Sequence, residues 1–373
     1  MARAPIAPEI ETLPEADRLE DFPHPRHTAA LFGHDAAERA LTHGVAQGRM
    51  HHGWLIAGPE GVGKATLAWR LARHLLARPG ERDAFGESLE VPPETTAARQ
   101  VAALSHPDLL LLRRVWDTRT KRFTTGIPVD EVRRLRSFLT HTSAHDANRV
   151  VIVDSADELN TAAANALLKS LEEPPANTFF LLVTSAPGRL LPTIRSRCRM
   201  LELHALGTQD LKLAALKALE GTDIEPPGPS EWVHLTAIAD GSVRRLLMLW
   251  GLKGLDLQER IEALLGASRK LDWPKVHALG DELASPASAA RFELFFDLLL
   301  RQIALMTRAR ATGETEAGPG RLAQRLIADA ALASWAELWE TIAREKGETQ
   351  ALNLDRKSLI LETFRRIETV ARA

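Results

Sequence analysis

The first half of the chain alternates short apolar runs with segments in which apolar residues recur every three or four positions. The apolar runs are bounded by polar or turn residues, as buried strands are, and they cover residues 54–57, 108–112, 150–153 and 179–183. The periodic segments that follow two of these runs predict helices at 65–76 and 161–171. A further segment, 199–204, alternates apolar and polar residues as an edge strand does. Strands that alternate with helices predict an α/β domain with a parallel sheet, which we assign to residues 24–204.

The sequence on either side of this domain has a different pattern. Beyond residue 204 it predicts helices, interrupted by a proline-rich stretch at 221–230. Residues 1–23 combine several prolines with acidic side chains and lack apolar periodicity. Such a composition predicts a flexible N-terminal tail.

Composition narrows the class of protein further. The 373 residues include 47 Lys or Arg and 49 Asp or Glu, a net charge of −2, whereas a surface that binds nucleic acid throughout would be basic. The single cysteine, Cys198, excludes an intrachain disulfide and a zinc site built from cysteines of this chain. It also indicates a reducing compartment. Because neither a secretory signal pattern nor an apolar run of about 18 residues occurs, we expect a cytoplasmic protein with no membrane contact.

The strongest chemical motif is the loop between the first predicted strand and its helix. It reads Gly58-Pro59-Glu60-Gly61-Val62-Gly63-Lys64 and matches the phosphate-binding loop pattern as far as its lysine. In such a loop, backbone N–H groups and the dipole of the following helix face phosphate oxygens, and the lysine adds a positive charge. Gly58, Gly61, Gly63 and Lys64 are therefore candidate ligands of ATP or ADP. The alternative is a plain glycine turn into a helix.

Two departures from the pattern weaken the predicted metal site and the predicted hydrolysis. Ala65 follows the lysine, where a Ser or Thr hydroxyl binds Mg²⁺, and the hydroxyl of Thr66 is rotated by about 100° on a helix. Asp154 closes an apolar strand, as the metal-side acid of these NTPases does, but Ser155 follows where many carry a catalytic Glu. Thr66 and Asp154 are further candidates for cofactor binding, with Mg²⁺ weakly held.

Two later runs resemble one protein family. Residues 165–175 read Asn-Ala-Leu-Leu-Lys-Ser-Leu-Glu-Glu-Pro-Pro, and residues 191–198 end in Ser196-Arg197-Cys198. Both runs are similar to the bacterial clamp-loader proteins of the AAA+ class, in which the Ser-Arg-Cys triplet is a signature. The resemblance extends over about residues 24–250. It implies a P-loop (AAA+) α/β domain, followed by a small helical lid at 205–254 and an all-α C-terminal collar domain at 255–373.

The resemblance also implies a role for three side chains. Arg197 would be an arginine finger that acts in trans, on ATP bound by a neighbouring subunit, while Thr184 and Arg244 would be sensor residues beside the chain's own nucleotide. With motor ATPase and delta subunits as partners, the chain would help to load the sliding clamp onto primed DNA for the replicative polymerase. Without the resemblance, Arg197 would belong to an exposed arginine-rich face, Thr184 would be a strand-end hydroxyl, and Arg244 would be a solvated helix residue.

The sequence also bears on metal binding. The family commonly carries a four-cysteine zinc module, which this sequence lacks, so we expect no zinc. His141 and His145 have no third ligand in register, and we expect no metal there.

One rival function is a motor subunit that hydrolyses ATP itself, which Lys64 and Asp154 favour. Another is a P-loop nucleotide kinase, which would need an arginine lid within the chain. Whether the chain is itself an enzyme is left open by the sequence.

Overall fold

The computed structural model describes residues 13–19, 21–83, 88–140, 147–314, 318–352 and 354–372, without the side chains of residues 329, 350 and 351. The strands are β1 (Gly53–Ala57), β2 (Leu109–Leu112), β3 (Trp116–Asp117), β4 (Arg122–Phe123), β5 (Arg149–Asp154), β6 (Thr178–Thr184) and β7 (Arg199–Glu202). The helices that accompany them are α1 (Asp35–Ala46), α2 (Lys64–Leu76), α3 (Thr96–Ala102), α4 (Val129–Thr140), α5 (Thr161–Glu172) and α6 (Pro192–Arg195). Three further helices follow: α7 (Thr208–Leu219), α8 (Pro229–Ile238) and α9 (Val243–Gly251).

A parallel sheet is the centre of this region. In the described part of the chain its strand order is β2-β5-β6-β1-β7, so β7 lies at an edge, as predicted, and β3 pairs with β4 separately. Successive residues of a strand face opposite sides of a sheet. Trp54 and Ile56 therefore pack towards α1 and α2, whereas Leu55 packs towards α4 and α5. Burial on both faces explains why the strands are almost continuously apolar, and it confirms the predicted α/β class.

Two compact units divide the chain, one ending at Leu246 and the other beginning at Leu247. The second unit is helical in its described residues and contains α10 (Gly254–Gly266), α11 (Trp273–Ala284), α12 (Ala289–Thr312), α13 (Gly318–Leu326), α14 (Leu332–Leu352) and α15 (Arg356–Arg372). Helix α12 packs against α10, α13 and α14, and it buries Phe295 and Phe296 completely. None of the helices in the described ranges has the length and apolarity of a membrane span. The predicted helical C-terminal region is confirmed, whereas the division at residues 254 and 255 stays a prediction.

The N-terminal segment differs from the predicted flexible tail. Within residues 13–19, acidic side chains pair with the α/β region, and the side chain of Asp17 is buried in ion pairs with His24 (Oδ2 to Nε2, 2.9 Å) and Arg113. Glu15 pairs with the same arginine at 2.8 Å. Arg113 is separated from Asp17 by 96 positions, so nothing in the local sequence reveals its partner. Residues 1–12 of the predicted tail lie outside the described residues.

Candidate functional site

The predicted phosphate loop joins β1 to α2 at the carboxyl edge of the sheet, the edge at which open parallel sheets bind ligands. Its glycines have φ angles of 145° (Gly58), 75° (Gly61) and 110° (Gly63), which side-chain-bearing residues rarely adopt. Space is also lacking, because a Cβ on Gly58 would lie 2.2 Å from the carbonyl oxygen of Leu203, and one on Gly61 would lie 2.3 Å from Ser242 Oγ. Both the backbone conformation and the packing of the loop therefore require glycine.

Lys64, the first residue of α2, is turned into the protein. Its side chain is buried, and Nζ donates to the carbonyl oxygens of Gly58 (2.9 Å) and Pro59 (2.5 Å) and to Ser185 Oγ (2.9 Å). An ammonium group has three N–H donors, so the loop and the residue that follows β6 use all of them. Burial lowers the pKa of Lys64, and the nearby charge of Asp154 opposes that change. Lys64 fastens its own loop, and a phosphate would have to displace these contacts.

Asp154, at the carboxyl end of β5, lies level with Val183 of the neighbouring strand β6. Burial above all, and then the charge of Asp17, raise the pKa of Asp154 to about 7, while Lys64 acts in the opposite direction. The hydroxyl of Ser155 donates to Asp154 Oδ1 at 3.4 Å. A carboxyl group with this pKa is only partly ionised at neutral pH, which weakens it as a ligand of a hard cation such as Mg²⁺.

Thr184 ends β6 and pairs in register with Ala57 at the end of β1. Its side chain is fully buried, and its hydroxyl accepts a hydrogen bond from the backbone N–H of Ala186 at 3.1 Å. The hydroxyl that contacts Lys64 belongs instead to Ser185, which the sequence analysis missed. Its position directly after the predicted sensor residue is the signal that would have identified it.

Arg244 lies in the first turn of α9, within the first compact unit. The beginning of this helix contacts the phosphate loop, because the backbone N–H of Val243 donates to the carbonyl of Gly61 at 2.9 Å. Arg244 Nε is 3.1 Å from Glu60 Oε1, so the second predicted sensor pairs with an acidic residue of the loop itself. Glu60 was not among the predicted site residues. It sits at a variable position of the loop pattern, which carries no information about such a pair.

The structure therefore brings most of the predicted cofactor residues to one edge of the sheet. Around the loop or at the ends of the strands beside it lie Gly58, Gly61, Gly63, Lys64, Asp154, Thr184 and Arg244. Thr66 is half-buried in the first turn of α2, and Ala65 offers no hydroxyl in its place. The roles of all these residues towards a nucleotide stay predictions.

Arg197 lies in a different environment, on the turn between α6 and β7. Its Nη2 is 2.6 Å from Glu172 Oε1, and its Nη1 donates to the carbonyl oxygen of Thr193 at 2.9 Å. About a third of the side chain is exposed, at 35%. A cavity of about 510 Å³ opens beside it, lined by His51, His52, Leu171, Glu172, Glu173 and Arg197. Arg197 is thus accessible to a molecule that approaches from outside.

The phosphate loop and Arg197 lie at opposite ends of the strands. Strands β1 and β7 run parallel, with Trp54 level with Arg199 at their beginning and Ala57 level with Glu202 at their end. The phosphate loop follows the end of β1, whereas Arg197 precedes the beginning of β7. Five strand residues separate them, which at about 3.3 Å per residue amounts to about 16 Å. Arg197 therefore cannot reach a phosphate bound to its own loop.

The described residues contain no group of three or more His, Cys, Asp or Glu side chains that could hold a metal ion. His141 and His145, the histidines weighed in the sequence analysis, lie outside the described residues. The expectation of no zinc stays a prediction.

A glycine loop after the first strand of a parallel sheet, with an arginine-bearing helix resting on the loop, defines a P-loop domain of the AAA+ type, here followed by a helical region. The sequence profile described as "DNA polymerase III, delta subunit" matches residues 33–207, slightly less than half of the chain. Over this α/β region the chain is similar to the delta-prime subunits of DNA polymerase III, which are bacterial clamp-loader proteins.

Several curated proteins are similar to part of the chain. The delta' subunit of DNA polymerase III from Pseudomonas aeruginosa is 41% identical over 148 residues, which are 39% of this chain and 41% of that protein. The delta' subunit from Haemophilus influenzae is 32% identical over 227 residues, 59% of this chain and 62% of that protein. The tau subunit from Salmonella typhimurium is 31% identical over 227 residues, 60% of this chain and 33% of that protein. The chain thus spans less than two thirds of the length of these relatives.

Proposed function

We propose that the chain is a clamp-loader subunit of a bacterial replicative DNA polymerase III, which helps to load the sliding clamp onto primed DNA and donates Arg197 in trans. Its partners are other clamp-loader subunits, namely motor ATPases and a delta subunit, and through that complex the clamp and primed DNA. The compartment we expect is the cytoplasm. The observation that carries the proposal is the accessible guanidinium of Arg197, at the edge of the sheet opposite the chain's own phosphate loop.

The position of Arg197 favours action on a neighbour's nucleotide. Phosphoryl transfer places negative charge on the oxygens of the transferred group, and an arginine supplied by another subunit can accelerate the reaction by about 10³ to 10⁵. A guanidinium suits this task because it is always charged and offers several planar donors. Since Arg197 lies about 16 Å from its own loop by the strand rise, only a nucleotide held by another subunit can meet it.

The chain's own loop fits a phosphate better than it fits Mg²⁺. Backbone N–H groups of Gly58, Gly61 and Gly63 would hold the phosphates of ATP or ADP, with Lys64 as a counter-charge once it leaves its present acceptors. The residues present would hold Mg²⁺ only weakly, because Ala65 stands where a Ser or Thr hydroxyl binds the ion. We therefore assign weak or no ATP hydrolysis to this chain.

The test is a loader reconstituted from this chain and its cognate motor and delta subunits. In the motor subunits the finger arginines are replaced by alanine, so that turnover depends on the interface that Arg197 completes. In that complex Arg197→Ala should lower DNA- and clamp-stimulated ATP turnover by at least about 100-fold. Arg197→Lys should restore little of it, because an ammonium does not offer the forked donors of a guanidinium.

A neighbouring arginine supplies the control. Arg195 is exposed and has no ion pair among the described residues, so Arg195→Ala should change turnover by less than about two-fold. Assembly of every complex is checked by gel filtration. An Arg197→Ala complex that assembles fully and turns ATP over at the parental rate would reject the finger role.

The rival functions predict different measurements on the isolated chain. A motor ATPase would hydrolyse ATP by itself and lose that activity on replacement of Lys64, whereas the proposal expects hydrolysis near background. A nucleotide kinase would transfer phosphate from ATP to a second nucleotide. It would also need an arginine lid over its own loop, and Arg197 is too distant to provide one.

A further inference from the structure

The guanidinium of Arg197 is held by two different elements of the protein. Nη1 donates to the carbonyl of Thr193 (2.9 Å) and to Ser196 Oγ (3.4 Å), both within its own turn. Nη2 forms its ion pair at 2.6 Å with Glu172, which belongs to α5. The Nε–H has no acceptor among the described residues, so the group keeps a donor for an incoming ligand. Arg197 is therefore oriented before any partner arrives.

Glu172 occupies a position that the helix itself disfavours. It is the last residue of α5, where the unpaired carbonyl groups give a helix its partial negative charge, and a carboxylate there is destabilising. The carbonyl of Leu171 in the same turn lies 3.1 Å from His52 Nε2. One carbonyl of the helix end thus has a partner in His52, and the helix dipole gives no reason for a carboxylate at this position. Its described contact is the one to Arg197.

The cavity beside this ion pair is lined by two stacked histidines and two glutamates. His51 and His52 stack with their ring centroids 4.4 Å apart, and burial lowers the pKa of His52. Glu172, Glu173 and Arg197 also line this cavity, which has a volume of about 510 Å³. Among the described residues that line the cavity, Arg197 is the one that is positively charged at every working pH. Glu172 is the acid that pairs with it.

We propose that Glu172 is a positioning residue for Arg197: its carboxylate fixes the Nη2 end of the guanidinium so that the finger meets a neighbour's nucleotide in the productive orientation. This inference rests on the proposed function. A role in stability alone is a weak explanation, because an ion pair whose side chains are 35% and 46% exposed contributes at most about 1 kcal/mol. Orientation has a larger effect, since a displacement of about 1 Å at a reacting group can cost about 100-fold in rate.

The experiment uses the reconstituted loader in which Arg197 is the finger that supports turnover. Glu172→Ala should lower kcat by about 10-fold and leave the KM for ATP unchanged, because the neighbour's own loop binds the nucleotide. Glu172→Gln, which keeps the shape and one acceptor oxygen, should lose less. In an Arg197→Ala background the same changes at Glu172 should have no further effect, since the residue acts through the arginine.

Glu173 provides the matched control. It lines the same cavity and carries the same charge, but it has no ion pair among the described residues. Glu173→Ala should therefore change kcat by less than about two-fold. Should Glu172→Ala fail to assemble, the isosteric Glu172→Gln variant carries the test, with assembly followed by gel filtration.

The outcomes separate this inference from the proposed function. If Arg197→Ala lowers turnover and Glu172→Ala does not, Glu172 has no positioning role while the finger role stands. If Glu172→Ala lowers turnover equally with and without Arg197, the residue acts independently of the arginine and the inference is wrong. If Arg197→Ala has no effect in an assembled complex, both proposals fail together.

Discussion

Lys64 and Arg197 lie at opposite ends of the strands of the parallel sheet, and their environments differ. Lys64 lies at the carboxyl edge, where the strands end, and Arg197 at the amino edge, where they begin. At the carboxyl edge, Lys64 is 5% exposed and gives all three donors to the protein. At the amino edge, the Arg197 side chain is 35% exposed beside a cavity and keeps its Nε–H without a described acceptor. A phosphate-loop pattern after a strand therefore does not by itself place the lysine in a position to bind phosphate.

The charged groups at the two ends of the strands also differ in how far they are removed from water. The loop holds its lysine through three hydrogen bonds and desolvates it, which lowers the pKa of Lys64. Burial also raises the pKa of Asp154 to about 7. The amino edge instead leaves its arginine and Glu172 in contact with water, where an ion pair costs little to break. An accessible pair of this kind leaves the guanidinium open to an incoming phosphate, whereas the loop is suited to holding a fixed shape.

The largest expected effect concerns the rigidity of the loop. Gly58→Ala should destabilise the chain by at least about 3 kcal/mol, because the new Cβ combines a φ reserved for glycine with a backbone clash. The φ angle is 145°, and the Cβ would lie 2.2 Å from the carbonyl oxygen of Leu203. Equilibrium urea unfolding, followed by tryptophan fluorescence, measures the change.

Gly48 separates the two causes. Its φ of 60° is also positive, but a Cβ there would meet nothing within 4 Å. Gly48→Ala should therefore cost only about 1 kcal/mol, the price of the left-handed conformation. If both variants lose the same free energy of unfolding, the loop moves to accommodate the new Cβ. The loop would then not be the rigid part of the molecule.

Local sequence was sufficient to predict the elements that build the loop. Helix α2 was predicted at 65–76 and begins at Lys64, and the strand predicted at 150–153 is β5. Both follow from patterns that short stretches contain, namely apolar runs buried on both faces and apolar residues at helical spacing. The glycines of the loop were predicted for the same reason, since a fixed pattern of positions defines the backbone path.

Features that depend on distant residues were not predictable from one sequence. The inward turn of Lys64 depends on Ser185, 121 positions away, and the burial of Asp17 depends on Arg113. The separation of Arg197 from the loop follows from the parallel pairing of β1 with β7, which the sequence does not specify. Glu172 was part of a recognised run, but its partner became apparent only when α5 and the 196–198 turn met in three dimensions.

A second prediction, of intermediate size, sharpens the description of the amino edge. Cys198 follows Arg197 directly, yet it packs into the core cluster that contains Leu171, and burial raises its pKa to about 11. The thiolate is the reactive form. At pH 8 the thiol should therefore be alkylated at least about 100-fold more slowly than an ordinary cysteine, whose pKa is about 8.5.

The direction of the pH dependence follows from the raised pKa. Between pH 7 and pH 10 the alkylation rate of the folded chain should rise about ten-fold per pH unit without levelling, because the thiolate remains a minor species throughout. The reference is the same chain unfolded in urea, where the rate should level above about pH 8.5. Because the chain has one cysteine, the rate reports Cys198 alone. Fast alkylation at pH 7 would contradict this prediction. It would show that the Cys198 thiol is accessible to solvent, as the Arg197 guanidinium is.

The smallest expected effect tests the loop lysine directly. Lys64→Met should destabilise the chain by about 1 to 2 kcal/mol, because it removes three hydrogen bonds from a charged donor but also relieves the desolvation of the ammonium. The acceptors it leaves are the carbonyls of Gly58 and Pro59 and the hydroxyl of Ser185. An exposed lysine of the same unit, Lys217, is the control, and Lys217→Met should cost less than about 0.5 kcal/mol.

The decisive comparison is between stability and turnover in the same Lys64→Met variant. A lysine that fastens its own loop affects the urea midpoint, whereas the reconstituted loader should keep its ATP turnover within about two-fold, since the reacting nucleotide is held elsewhere. A lysine that binds a reacting nucleotide would give the reverse result, with a nearly unchanged midpoint and a turnover that collapses. That second result would favour the motor ATPase, because the buried environment of Lys64 would then be a resting state that nucleotide reopens. The first result would leave Arg197 as the group through which this chain acts on ATP.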